Sequence, residues 1–174
     1  MKLLDWIGEA RPVGARIAPD VQYFGNGPLL LGPYVRIDTG CVLLGSISIG
    51  KGTHLAPYCL LYGRAGIRIG DLVNIGAFGV LHSESESFTG EFPMGPQWAE
   101  SIRRPVREPV RLGNRSTLGT RTTVLPGVVV GEGSIVGAHS LVRASIPPFE
   151  KWAGTPAMLR GFASKGQMDY SSPL

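Results

Sequence analysis

Three histidines, His54, His82 and His139, are the side chains of this 174-residue chain best suited to moving a proton near neutral pH. They stand 28 and 57 residues apart, with no close His pair of the kind a metal site would use, so no metal is expected. His82 sits in the run Val80-Leu81-His82-Ser83-Glu84. Glu84 and Glu86 follow it closely, and Glu84 is the nearer carboxylate that could orient the ring through its second nitrogen. Cys41 and Cys59 fit no metal or redox spacing. The net charge of +4 suits a polyanionic small molecule. The Lys and Arg residues are scattered rather than striped, which speaks against nucleic acid as a partner.

What positions these side chains is a period of six. From Val110 onward an aliphatic residue recurs at Leu112, Leu118, Val124, Val130, Val136 and Val142. A small or β-branched residue precedes each by two positions, at Val110, Ser116, Thr122, Val128, Ser134 and Ser140. Earlier, Leu31, Ile37, Leu43, Ile49, Leu55 and Leu61 keep the same register, and after an insertion near Gly63 and Gly66 it resumes at Ile69, Ile75 and Leu81. Before Leu31, across a similar insertion, Ile17 and Tyr23 fit as earlier rungs. Period six is neither helical nor simple alternation, but positions i−2 and i share one face of a short strand. Gly at i+1, as in Gly113, Gly119, Gly131 and Gly137, is expected to supply a sharp corner. A short strand and a corner, repeated, make a prism of parallel coils: an all-β parallel β-helix of about six coils.

On this reading residues 15–160 form the β-helix, 1–14 a cap that could be helical over LLDWIGEA, and 161–174 a polar tail. The cysteines, 18 residues apart in one inward column, should stack as buried reduced thiols. Between Leu81 and Val110 the register vanishes, and loop 83–109 carries Phe88, Phe92 and Trp98, an excursion expected to fold over a site or a neighbouring subunit. No apolar run approaches the roughly 20 residues of a membrane span. The first segment is too short and too acidic for a signal peptide, so the cytoplasm is the expected location.

The I-G repeats, the long loop opening directly after a His, the run LPGVVVGEGSIVGAHSLV, and the terminal I-P-P and A-G-T-P-A resemble the hexapeptide-repeat acyltransferases. The likeness is to sugar and antibiotic O- and N-acetyltransferases of the galactoside, maltose and xenobiotic type, over roughly residues 30–160. The resemblance implies a left-handed β-helix, a homotrimer, acetyl-CoA as co-substrate, and a hydroxyl or amine of a sugar or nucleotide-linked sugar as acceptor. It implies His82 as the general base that deprotonates the attacking acceptor, a task suited to imidazole. It also places coenzyme A along outward corners at Gly119, Thr120 and Ala138, with Arg143 and Arg160 as candidates for its phosphates. The chain departs from the pattern at Thr117 (Trp in relatives), at Ala56-Pro57-Tyr58 (Asn-x-Asn) and at Tyr62 (Asp), which leaves the acceptor open. Two further readings are a non-catalytic β-helix scaffold and a hydratase resembling the γ-class carbonic anhydrases, which share the fold but bind zinc through a closer set of His.

Overall fold

The computed structural model describes residues 2–3, 12–25 and 27–164. Short strands stack into three faces. The first face runs in parallel order through Arg16–Ile17, Arg36–Ile37, His54–Leu55, Asn74–Ile75, Thr117–Leu118, Ile135–Val136 and Glu150–Gly154. The second runs through Gln22–Phe24, the start of Val42–Ile49, the start of Leu60–Ile69, Val80–His82, Thr123–Val124 and Leu141–Val142. The third takes Leu29–Leu31, the ends of the two long strands, Val110–Leu112 and Val129–Val130, and Ile146 bridges to Val130. The architecture is the left-handed parallel β-helix, with about 7 turns rather than six. The extra turn escapes the sequence period because Val142 is followed by an inward residue after four positions, at Ile146, and then by Trp152.

At the C-terminal end, Glu150–Gly154 pairs antiparallel with Ala157–Phe162, so the A-G-T-P-A motif is the turn of a closing hairpin. That strand extends two residues into the stretch read as a tail. Lys2–Leu3 lies antiparallel to Gln22–Tyr23. The expected helical cap beyond Leu3 and the tail from 165 onward lie outside the described residues.

Leu43, Leu61, Leu81 and Val124 stack in one inward column and are fully buried. Burial of such side chains contributes about 1.5–3 kcal/mol each. The i−2 column carries buried hydroxyls that serve the backbone. Thr53 Oγ1 donates to Gly70 O at 2.8 Å and accepts from Val73 N at 3.0 Å; Ser134 Oγ donates to Pro147 O at 2.7 Å. Cys41 and Cys59 are buried free thiols in this column.

The corners differ from the sequence expectation. The left-handed residues fall at i+3, not i+1: Tyr34, Tyr58, Leu72, Phe78, Arg115, Arg121, His139 and Phe149 all have φ between 56° and 63°. Gly40, Gly52, Gly127 and Gly133 fill the equivalent position on other coils. Glycine at i+1 answers a different need, the approach of the next coil. A Cβ on Gly113 would stand 2.5 Å from Glu132 N, and one on Gly119 2.5 Å from Ala138 N. Gly113→Ala should therefore lower stability by about 1–3 kcal/mol through forced separation of coils. Leu72→Gly, at an exposed left-handed corner, should leave it nearly unchanged or raise it. Chemical denaturation of both variants checks the contrast.

Candidate active site at the root of the long loop

His82 ends the strand Val80–His82, directly after the inward Leu81. Its position at i+1 turns the ring outward, onto the edge between the second and third faces. The parallel register places it on Tyr62 of the preceding coil, and the two rings stack with centroids 5.2 Å apart and planes 9° from parallel. Half-buried in this way, the imidazole is pushed below its ordinary pKa by desolvation, which favours the neutral, proton-accepting form. No described residue hydrogen-bonds its ring nitrogens.

Ser83 fixes this geometry. It is fully buried; its Oγ donates to Tyr62 O at 2.8 Å and accepts from Ala65 N at 2.9 Å. Its carbonyl accepts from Glu108 N at 3.0 Å, which closes the two ends of the loop on one another. The loop is less irregular than the sequence suggested. Glu84–Ser85 pairs antiparallel with Val106–Arg107 to form a stem.

That stem uses the carboxylates. Glu84 Oε2 accepts from Arg107 Nε at 2.5 Å, with Arg64 at 3.8 Å from the other oxygen. Arg107 also pairs with Glu100. Glu86 Oε1 accepts from Arg103 at 2.8 Å and from Gly95 N at 3.1 Å. Glu84 is thus bonded to arginines rather than to His82, and the side chain against His82 is Tyr62, which stands where relatives have Asp. The signal for Tyr62 was present: counting one coil plus the two-residue insertion back from His82 lands on it. Phe88, Trp98 and Ile102 are exposed on the loop.

The residues expected to hold coenzyme A divide between two edges. Gly119, Thr120 and Ala138 lie together at the corner between the first and second faces, and His139 N donates to Thr120 O at 2.8 Å there. Arg160, on the closing hairpin, reaches toward Gly154 above that corner. Arg143 belongs to the His82 edge, one step beyond Val142, and is exposed. The first corner also carries a stacked column: Tyr58 on Phe78 at 5.2 Å, and the Arg121 guanidinium over Phe78 at 5.3 Å.

The other histidines stand apart from His82. His139 occupies a left-handed corner. His54, on the first face, bonds Asp38 Oδ2 through Nε2 at 2.8 Å and Asn74 Oδ1 through Nδ1 at 3.0 Å. Arg36 Nε donates to the other Asp38 oxygen at 2.7 Å. Partial burial raises the Asp38 pKa, but the Arg36 and His54 bonds outweigh it and hold the carboxyl below the usual range. The sequence gives no sign of this network, although positions 36, 54 and 74 share one column. Among the described residues no group of three His, Cys, Asp or Glu side chains lies close enough to hold a metal ion. No described helix is long and apolar enough to cross a membrane.

Residues 109–144 match the family model for bacterial transferase hexapeptide repeats (six repeats). An Escherichia coli dTDP-4-amino-4,6-dideoxy-D-glucose acyltransferase is 29% identical over 84 residues, 47% of this chain; the match spans 44% of that enzyme, so under half its length. The crystal structure of a variant of AntD, an N-acyltransferase from Bacillus cereus in complex with dTDP and coenzyme A, superposes with a TM-score of 0.84. It is 30% identical, over 87% of this chain and 82% of that one. A second AntD variant, bound to dTDP-4-amino-4,6-dideoxyglucose and coenzyme A, is 28% identical with a TM-score of 0.84, over 89% of this chain and 87% of that one. The period-six core, the loop rooted at His82 and this likeness along most of both chains agree: the chain belongs to the hexapeptide-repeat acyltransferases of the sugar type.

Proposed function

We propose that this protein transfers an acetyl-type group from coenzyme A to the amine, or failing that a hydroxyl, of a nucleotide-linked sugar, with His82 as general base. The observation that carries the reading is His82 itself: a half-buried imidazole stacked on Tyr62 at the root of loop 83–109. The amino-sugar nucleotide bound by an AntD variant supports the choice of acceptor class.

The attacking amine must be neutral, or lose a proton as it adds to the thioester carbon. As the N–C bond forms His82 takes that proton, the C–S bond breaks, and His82 returns the proton to the departing sulfur, so that coenzyme A leaves as its thiol. Gly119, Thr120 and Ala138 line the second wall of the donor groove. Because they occupy a different edge from His82, a cyclic homotrimer serves the reaction by setting that corner of one copy against the loop edge of the next. The exposed Phe88, Trp98 and Ile102 give the loop an apolar surface for that contact.

Mixing the protein with acetyl-CoA and dTDP-4-amino-4,6-dideoxyglucose, with maltose as a second acceptor, should release thiol with the amino sugar preferred. Absence of turnover with every acceptor would overturn the reading. His82→Ala should lower kcat by about 10²–10⁴-fold with unchanged circular dichroism. Retention of full turnover would remove His82 from the reaction.

The pH dependence has a definite sign. His82 acts when neutral, and its pKa lies below the ordinary imidazole value, so activity should persist as pH falls through about 6.5 and fail only at lower pH. Tyr62→Ala, which opens one ring face to water, should move the His82 titration up toward about 6.5, whereas Tyr62→Phe should not. Proton NMR of the imidazole measures both.

A further inference from the structure

A groove of about 530 Å³ runs along the third face beside the His82 edge. Its lining includes Arg64, Arg68, Arg111, Ser46, Ser48 and Pro109. Arg68 and Arg111 are direct partners on adjacent parallel strands, with Ser48 the next residue down the same outward column. Stacked strands stand about 4.8 Å apart, so the two guanidinium stems leave the sheet side by side. Like charges placed directly opposite one another are destabilising. No carboxylate among the described residues pairs with either one. Arg64 closes the rim, held only loosely by Glu84 at 3.8 Å.

We infer that this groove binds the diphosphate of one of the two substrates. A diphosphate supplies two adjacent tetrahedral anions. Two parallel guanidiniums can each grip one of them in bidentate fashion, with Arg64 and the Ser46 and Ser48 hydroxyls completing the shell. Neutralising the Arg68–Arg111 repulsion is a gain that exists only with the anion in place. The groove also shares a strand with the reaction centre. The strand Leu60–Ile69 carries Tyr62, which stacks on His82, then Arg64, then Arg68, and Arg111 re-enters the sheet where the loop ends. The inference rests on the acyl-transfer reading only in naming the ligand's source, because both a nucleotide-linked sugar and coenzyme A contain a diphosphate.

The test is calorimetric titration of the full chain with inorganic pyrophosphate, dTDP and coenzyme A at fixed ionic strength, repeated on an Arg68→Ser/Arg111→Ser variant. The variant loses a like-charge contact and should fold at least as stably, as its melting temperature will report. Pyrophosphate should bind the unaltered protein and raise its melting temperature, and the variant should lose at least tenfold in affinity. The same loss should appear for dTDP alone if the acceptor occupies the groove, or for coenzyme A alone if the donor does. Undiminished binding of dTDP and coenzyme A by the folded variant would overturn the inference, whatever pyrophosphate does. An unaltered protein that binds dTDP or coenzyme A through these arginines yet never turns over would overturn the acyl-transfer reading and leave the groove standing. Failure of all three ligands to bind the unaltered protein would overturn both.

Discussion

Each coil of this protein lies so close to the next that, at corner after corner, no Cβ fits between them. Gly76 N donates to Leu118 O at 2.8 Å, Gly119 N to Val136 O at 2.8 Å and Gly137 N to Trp152 O at 2.8 Å. At these three glycines the bonds that join the coils form where no Cβ fits. That contact fixes the stacking register, because a slip of one residue would drive a side chain into the neighbouring backbone and turn the inward column outward. Everything on the outer surface inherits the register.

A rigid register sorts surface side chains into columns, and the columns set the chemistry. Tyr62 under His82 gives the imidazole an apolar wall instead of a carboxylate, so desolvation governs it and the neutral base is favoured. Arg36, His54 and Asn74, with Asp38 beside their column, are the opposite case, in which each polar group answers its neighbour. Arg68 and Arg111 form a third kind, with two like charges in register on adjacent strands. One geometric rule produces three electrostatic outcomes, decided only by which residue types fall on successive coils.

The long loop departs from the rule and is held by side-chain chemistry instead. Glu84 and Glu86, the carboxylates nearest His82 in sequence, tie the stem to Arg107 and the interior of the loop to Arg103. The Glu86–Arg103 pair leaves Glu86 Oε2 and Arg103 Nε buried without partners among the described residues, which costs about 1–3 kcal/mol for each such group. The loop's attachment at Ser83 transmits its order to the adjacent imidazole.

By itself the sequence determined the prism, its inward columns, the stacked buried thiols and the place of His82 at the root of the loop. All of these follow from local periodicity, since a side chain's inward or outward direction on a short strand depends on its immediate neighbours. The tertiary structure alone decided what stands beside each outward group. Arg68 and Arg111 are 43 positions apart in the chain and adjacent in space, because the loop between them leaves the stack and returns one coil higher. The same long-range closure took Glu84 away from His82, gave that place to Tyr62, and showed that glycine at i+1 admits the next coil rather than making the corner. Periodicity encodes the direction of a side chain; only the stacked coils encode its company.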